Sequence, residues 1–196
     1  MKKIFAITLA LTFCAGMIHA QNGKFSVGIA GGYEQNGFFN KTASSSSLFE
    51  YYQLGVFGEY RFDGNWGVKA EFSTSMQYKT TLSETSIHES LPSLQVFVGA
   101  VREWRWGNLF LDLTFGPGYR HANLKSIEGN GYAISNAVFI GVEPAIGWRF
   151  NDHWSVRLQN RWDFNIYESY YEIIRKPQGA TFNGGFNATL AVAYTF

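Results

Sequence analysis

The feature that most constrains this chain is a two-residue alternation that runs through residues 137–165, on both sides of a short turn at 151–153. Because successive side chains of a β-strand point to opposite faces, the two alternating sets lie on opposite faces of a hairpin. The apolar set is Val138, Ile140, Val142, Pro144, Ile146, Trp148, Phe150, Trp154, Val156, Leu158, Trp162 and Phe164. The other set is mostly small or charged, namely Phe139, Gly141, Glu143, Ala145, Gly147, Arg149, Ser155, Arg157, Gln159, Arg161 and Asp163. This pattern predicts a hairpin of a transmembrane β-barrel, apolar toward lipid and polar toward the lumen.

The amino-terminal segment is typical of a cleavable signal peptide. Two lysines follow the initiating methionine, a largely apolar run covers Ile4–Ile18, and Ala20 supplies the small residue before the cut. A transmembrane helix needs about 20 apolar residues, which is more than this run provides. A lipoprotein interpretation based on Cys14 is disfavoured because the preceding Phe13 is bulky where such sites have a small residue. We therefore predict a signal peptide over residues 1–20 and an outer-membrane β-barrel over residues 21–196.

The composition argues against a nucleic-acid-binding or disulfide-stabilised protein and agrees with a β-barrel. The chain has 16 Lys and Arg and 15 Asp and Glu, so loss of Lys2 and Lys3 leaves 14 basic and 15 acidic side chains. A net charge of −1 offers no basic footprint for nucleic acid. The mature chain retains no cysteine, so no disulfide is expected. Aromatic residues reach 18%, glycines number 21 and the mean hydropathy is −0.12, which suits a barrel that is apolar only at alternate positions.

Similar alternation elsewhere predicts eight strands. The strands are expected at 25–33, 52–62, 66–78, 94–106, 109–120, 138–150, 154–165 and 186–196, the long loops at 34–50, 79–93, 121–130 and 168–181, and the short turns at 63–65, 107–108 and 151–153. An even number of strands with short turns at one end is the arrangement of bacterial outer-membrane barrels. The sequence therefore predicts an all-β, eight-stranded antiparallel up-and-down barrel. Pro117 and Pro144 cannot donate to a strand ladder, so bulges or unpaired positions are expected there.

A repeat supports this plan. An arginine flanked by aromatic residues precedes each short turn, at Arg61, Arg105 and Arg149, which gives two intervals of 44 residues. The flanking rings are expected to form a girdle at headgroup level. The register of the predicted fourth strand is the hardest to assign, because the phase that turns Trp104 outward also turns Arg102 toward lipid. Snorkelling or a β-bulge is the expected remedy for Arg102.

Alternation alone does not say which face is interior, and a lipocalin places its apolar face inside. The lumen of an eight-stranded barrel has room for ordinary side chains or one small ligand, so six tryptophans with many other rings belong outside. The polar face then forms the interior, with six acids and seven bases: Glu59, Arg61, Lys69, Glu71, Glu103, Arg105, Asp112, Arg120, Glu143, Arg149, Arg157, Arg161 and Asp163. Buried charges must be paired, so a layered salt-bridge network is predicted, and a plugged polar core is favoured over an ion path.

The sequence gives little sign of catalysis, and no catalytic, cofactor-binding or metal-ligating residue is assigned. The mature histidines His88, His121 and His153 fall in predicted loops or turns with no spacing that suits a metal. His88 and Ser90 have the His-x-Ser spacing used by outer-membrane lipid A deacylases, but no acid partner is identified, so chance is the favoured explanation. The cluster Tyr170, Tyr171, Ile173, Ile174 and Arg175 is either an adhesive tip or an extension of two strands.

The Phe-Gly-Pro-Gly-Tyr segment at 115–119 and the closing Ala-Tyr-Thr-Phe at 193–196, with the strand plan and signal peptide, resemble the small outer-membrane barrels that include OmpX-like, opacity-like and OmpA-type proteins. The resemblance implies a bacterial outer membrane, contact with its lipid and lipopolysaccharide, and recognition of the strand ending at Phe196 by the outer-membrane assembly machinery. It also implies a monomer, with extracellular partners at the loops. Because the chain stops at Phe196, no peptidoglycan-binding domain or cell-wall tether is expected.

Three hypotheses follow. The leading one is a non-enzymatic surface barrel with a structural or adhesive role and four loops that face outside. The second is a lipid-modifying enzyme that uses His88 and Ser90, and the third is a narrow channel.

Overall fold

The computed structural model describes residues 24–36, 48–62, 65–81, 88–90, 93–126, 132–172, 175–178 and 184–196. These residues form ten strands of one antiparallel sheet. The strands are β1 (Lys24–Asn36), β2 (Leu48–Arg61), β3 (Trp66–Thr81), β4 (His88–Ser90), β5 (Ser93–Trp106), β6 (Leu109–Ser126), β7 (Tyr132–Arg149), β8 (Trp154–Glu172), β9 (Arg175–Gln178) and β10 (Gly184–Thr195). No helix within these residues is long and apolar enough to cross a membrane.

Eight of the strands close into a barrel. Each long strand pairs with the next along the chain, and β1 pairs with β10 from Ser26↔Thr195 to Asn36↔Gly185. The two short strands lie outside this ring, where β4 pairs with the far end of β6 and β9 pairs with the far end of β8. The predicted eight-stranded antiparallel up-and-down barrel is therefore confirmed, with two short strands added at the end opposite the tight turns.

The two faces of the wall divide as the alternation predicts. Along β5, buried and exposed side chains alternate from Ser93 to Trp104, with Arg102 half-buried at an outward position. Trp66, Trp104 and Trp148 lie on the exposed outer face, whereas Glu59, Lys69 and Glu143 are buried in the lumen. Other outward side chains are apolar, among them Leu54, Val56, Phe72, Leu113, Ile146, Leu158, Leu190 and Val192. Transfer of this apolar surface from water to lipid is the main favourable term available to such a wall.

The strands extend further than the sequence pattern predicts, so the four predicted loop boundaries are wrong in detail. β1 continues to Asn36, β6 continues through the predicted third loop to Ser126, and β8 continues to Glu172. Beyond the hydrocarbon layer the outer face no longer needs apolar side chains, so hydropathy stops alternating while the backbone ladder persists. For the cluster at 170–175, residues 173 and 174 lie outside the described set, and the backbone of the rest agrees with strand extension, because Glu172 of β8 pairs with Arg175 of β9.

The two prolines interrupt the ladder without shifting it. Pairing between β5 and β6 stops at Phe97↔Gly118 and resumes in the same register at Ala100↔Phe115, next to Pro117. Pairing between β7 and β8 likewise skips the position of Pro144. The predicted unpaired positions are confirmed, whereas the bulges occur elsewhere. Tyr78 of β3 is the extra residue opposite Glu50 and Tyr51, and Ile166 of β8 is the extra residue opposite Val138 and Phe139.

In two of the tight turns, one residue type explains why the chain can reverse direction there. Gly107 has a φ of +61°, a conformation that glycine adopts at no steric cost, which lets β5 return as β6 within two residues. At the β7–β8 turn, the side-chain oxygen of Asn151 accepts hydrogen bonds from the backbone amides of His153 (2.9 Å) and Trp154 (2.8 Å). An Asx turn of this kind stabilises the connection locally.

Candidate functional site: the charged lumen

The three arginines of the 44-residue repeat meet at one carboxylate near the tight-turn end of the lumen. Glu103 on β5 forms ion pairs with Arg149 (2.5 Å), Arg105 (3.3 Å) and Arg61 (3.6 Å), which come from the ends of three different strands. The repeat therefore has a structural reason, because each unit brings one arginine to the same end of the barrel. The sequence showed the spacing but gave no sign of the shared partner.

A ring of alternating charges lies next to this carboxylate. Arg61 binds Glu59 through Nε (2.5 Å) and Asp112 through Nη2 (2.9 Å). On the opposite side, Nη1 of Arg157 binds the same two carboxylates at 2.9 and 3.0 Å. Glu59 and Asp112 are thus each shared by the two arginines, and Arg61 also reaches Glu103, so neither of these two carboxylates is unpaired.

The middle layer is built around two cations. Lys69 Nζ lies 2.5 Å from Glu143 and 2.9 Å from Glu71. Arg161 Nη1 lies 2.9 Å from Oε1 of Glu71, the carboxylate oxygen that Lys69 does not contact, and Arg161 Nε lies 2.9 Å from Oδ1 of Asp163. Glu71 joins the two cations, and the chain of contacts crosses the lumen from β7 through β3 to β8.

The layer toward the long loops contains an acid that sequence reasoning missed. The sequence pattern places Glu34 in the first loop, but the residue lies on β1 with no exposed surface, and it accepts a 2.5 Å hydrogen bond from Gln95. Arg120 lies 3.4 Å from Glu34 and donates to Asn165. The available signal was the phase of β1, since Glu34 continues the inward positions of Ser26 and Ala30.

Four phenylalanines fill the space between the charged layers. Phe57, Phe110 and Phe139 lie over glycines directly opposite in the neighbouring strand, and a Cβ on any of those glycines would overlap the ring. Phe97 reaches past β6 to Gly141 on β7 in the same way. The glycines concerned are Gly28 under Phe57, Gly147 under Phe110, Gly118 under Phe139 and Gly141 under Phe97.

The cations of the network lie over these same rings. Arg157 is 4.8 Å from the ring centroid of Phe57, Lys69 is 4.9 Å from it, and Arg161 is 5.0 Å from that of Phe97. A cation over an aromatic face is attracted by the negative face of the ring. Each cation is therefore held by carboxylates at its head and by a phenyl ring along its side.

Almost all charged side chains of the lumen are removed from solvent. The exceptions are at the tight-turn end, where the side chains of Arg105 and Arg149 are 41% and 24% exposed. With Glu34 added, the described residues place seven acids and seven bases in the interior, so this described set is balanced in charge. This arrangement is the predicted layered salt-bridge network, and it fills the barrel with side chains.

The residues that suggested other chemistry are placed differently. His88 and Ser90 lie on β4, not in a loop, and pair through the backbone with Ser126 and Leu124 of β6, while their side chains lie outside the described set. His121 lies within β6, where Nδ1 is 2.8 Å from the side-chain oxygen of Asn136. Among the described residues, no group of three His, Cys, Asp or Glu side chains could hold a metal ion.

Arg102 points outward without any shift of the strand. Its pairings with Trp66 of β3 and Leu113 of β6 keep the register of their ladders, so no bulge rescues it. Its guanidinium lies 4.8 Å from the ring centroid of Trp66 and 5.7 Å from that of Trp104. An arginine on the lipid face costs about 2–4 kcal/mol at the midplane and little near the interface, which agrees with its place beside the aromatic girdle.

An apolar outer wall, aromatic rings at one end and a lumen of paired charges define a small bacterial outer-membrane β-barrel. The family model of the outer membrane protein β-barrel domain matches residues 6–196, and the chain belongs to this family. Its location is the bacterial outer membrane. A comparison with curated protein sequences gives no significant match.

Solved structures share the fold at low sequence identity. Neisserial surface protein A (NspA) has a TM-score of 0.64 at 11% identity, covering 88% of this chain and 97% of that chain. OprG of Pseudomonas aeruginosa has a TM-score of 0.58 at 13% identity, with 89% and 96% covered. Ail, the attachment invasion locus protein of Yersinia pestis, has a TM-score of 0.55 at 15% identity, with 89% and 99% covered. These similarities concern the fold.

Proposed function

We propose that this chain is a non-enzymatic, non-conducting barrel that acts at the cell surface through the end bearing the long connections. The observation that carries the proposal is the filled lumen, in which a network from Glu103 to Glu34 occupies the interior with buried, mutually paired charges. A passage for ions requires that several of these pairs separate at once. Breaking one buried pair costs about 3–5 kcal/mol, so simultaneous opening is a rare event.

Purified barrel inserted in a planar lipid bilayer is expected to leave the membrane current at baseline, because the paired charges leave no continuous aqueous path. The variant Lys69→Ala serves as the comparison with a less filled lumen, because it removes a fully buried cation from the middle layer and opens space there. Discrete current steps from the wild-type chain, at the frequency of a porin control, would contradict the proposal.

Strand length supports a role outside the membrane. A transmembrane β-strand needs about 9–11 residues. β6 and β7 have 18 residues each and β8 has 19, whereas β10, which closes the barrel, has 12. Because tight turns face the periplasm in such barrels, the excess length rises on the outer side as a wall of three adjacent strands. An extended sheet with long connections is a suitable surface for binding a partner.

Two structural relatives have names that agree with surface interaction, since NspA is a surface protein and Ail is an attachment protein. We infer an adhesive or structural role for this chain of the same general kind. The partners are expected to be extracellular at the loops, together with the surrounding lipid and lipopolysaccharide and, during biogenesis, the assembly machinery that reads the strand ending at Phe196. The barrel is inferred to act as a monomer.

Adherence of displaying cells tests this role. Cells of a non-adherent host that display the chain are expected to bind host-cell or matrix surfaces more than cells with the empty vector. Replacement of residues 37–47 by a two-residue turn is expected to reduce adherence while the amount of folded barrel, measured by heat-modifiable gel mobility, stays the same. Adherence no greater than that of the empty host contradicts the adhesive role and leaves the structural one.

The enzymatic alternative gives a different result. If His88 and Ser90 acted on lipid A, deletion of the chain would change the lipid A mass spectrum. We expect an unchanged spectrum, because no acid that orients the histidine has been identified.

A further inference from the structure

Arg102 differs from every other charged side chain of the barrel wall. Among the side chains that the structure describes, it is the single Asp, Glu, Lys or Arg on the outward face of the strands, where the other positions are apolar, aromatic or uncharged. The neighbouring arginine Arg105 lies on the other face and binds Glu103. A charge turned toward lipid is costly unless a polar group meets it there.

Within the part of the chain that the structure describes, Arg102 meets aromatic rings but no counter-charge. Trp66, directly opposite in β3, and Trp104, two residues further along β5, both lie within 6 Å of the guanidinium. Among the described residues, the side chain of Arg102 makes no ion pair. The guanidinium carries five N–H donors in a planar fork, so two indole rings fix its position and leave its donors available.

The depth of the Arg102 guanidinium in the membrane indicates which ligand it meets. Arg102 is level with the start of β3, next to the Asn65 carbonyl that accepts from the Glu103 amide (2.8 Å), and therefore lies at the tight-turn end. Tight turns face the periplasm, so this level corresponds to the headgroups of the periplasmic leaflet. Phosphate is the anion at that depth, and it matches the arginine fork with two parallel hydrogen bonds.

We propose that Arg102, Trp66 and Trp104 form a binding site for the phosphate of a phospholipid in the periplasmic leaflet. The guanidinium binds the phosphodiester oxygens, and the indole rings pack along the upper acyl chain and glycerol. Trp66 and Trp104 both have exposed outer surfaces for this contact. The site anchors the barrel at a defined depth on the β3–β5 side and gives a favourable partner to the one charge that the described side chains present to lipid.

Native mass spectrometry of the full barrel tests the proposal. Detergent-solubilised protein is incubated separately with phosphatidylglycerol, with a diacylglycerol of the same chains, and with lipid A, and the retained lipid is counted. Wild-type protein is expected to retain phosphatidylglycerol over diacylglycerol. Arg102→Gln is expected to reduce that retention about tenfold or more, since it removes a charge-assisted contact. The matched control Arg105→Gln, on the same strand but on the lumen side, is expected to retain lipid like the wild type.

Several results overturn the proposal. Equal retention by Arg102→Gln and wild type excludes the arginine, and an equal loss in Arg105→Gln shows a general effect of charge. If retention of lipid A depends on Arg102, the site lies in the outer leaflet, which contradicts its proposed location in the periplasmic leaflet. Equal retention of diacylglycerol by wild-type protein removes the role of phosphate, and this comparison needs no variant, so it holds even if Arg102→Gln does not fold.

Discussion

Replacing Lys69 with methionine is expected to lower the free energy of unfolding by about 3–5 kcal/mol, the usual cost of removing one partner from a buried ion pair. Methionine keeps most of the side-chain volume but not the charge. Lys69 has no exposed surface, and among the described residues Glu143 has no other ion-pair partner. The substitution therefore leaves the Glu143 carboxylate in a dry interior without a counter-charge, whereas Glu71 keeps its contact with Arg161.

Reversible urea unfolding in phospholipid vesicles, followed by tryptophan emission, measures this change. The double variant Lys69→Met/Glu143→Gln is expected to recover about 1–3 kcal/mol of the loss, because it also removes the stranded charge. The matched control is Arg105→Met at the open end of the lumen, where the side chain is 41% exposed and the expected cost is about 0–1 kcal/mol. Equal losses for Lys69→Met and Arg105→Met would show that the interior is hydrated and not a sealed core.

The second large effect is expected from a single methyl group. Gly147→Ala places a Cβ within the volume of the Phe110 ring, whose Cζ, Cε1 and Cε2 atoms lie against the glycine from the neighbouring strand. Phe110 cannot move freely, because Arg149 lies 5.2 Å from its ring centroid and Arg157 lies 5.9 Å from it. Overpacking of this kind costs about 1–3 kcal/mol.

The same unfolding assay separates overpacking from a general effect of glycine replacement. Gly31 provides the control, because it lies on the outer face and an added Cβ there would meet only ordinary contacts, at 3.7 Å from the Gln53 carbonyl and 3.8 Å from Leu54. Gly31→Ala is expected to leave the free energy of unfolding unchanged or slightly raised. A loss for Gly147→Ala no larger than that for Gly31→Ala contradicts the packing of rings on glycines.

The wall of the barrel could be predicted from sequence because each face has one solvent. Lipid and lumen impose opposite demands on consecutive residues, so hydropathy alone assigns Trp148 outward and Arg149 inward. The strand number follows from the same alternation together with the three tight turns. These are local properties of the chain, which a sequence displays directly.

The contacts inside the lumen could not be predicted in the same way. The meeting of Arg61, Arg105 and Arg149 at Glu103 depends on the stagger of the strands around the closed cylinder, and alternation does not contain that quantity. The sequence pattern places Glu34 in a loop because the alternating apolar residues that mark the first strand end at Tyr33. The orientation of Arg102 was predicted, but its contact with Trp66 required the register between β3 and β5.

The most direct test of the central claim, that bulky rings face lipid while paired charges fill the lumen, is quenching of tryptophan emission by brominated phospholipids. Refolded wild-type barrel in such vesicles is expected to lose most of its emission, with bromines near the headgroup more effective than bromines near the bilayer centre, because Trp66, Trp104, Trp106, Trp148 and Trp154 lie on the outer face toward the tight-turn end. Emission that is unchanged in brominated lipid but quenched by aqueous iodide would contradict the account, because the rings would then not face hydrocarbon.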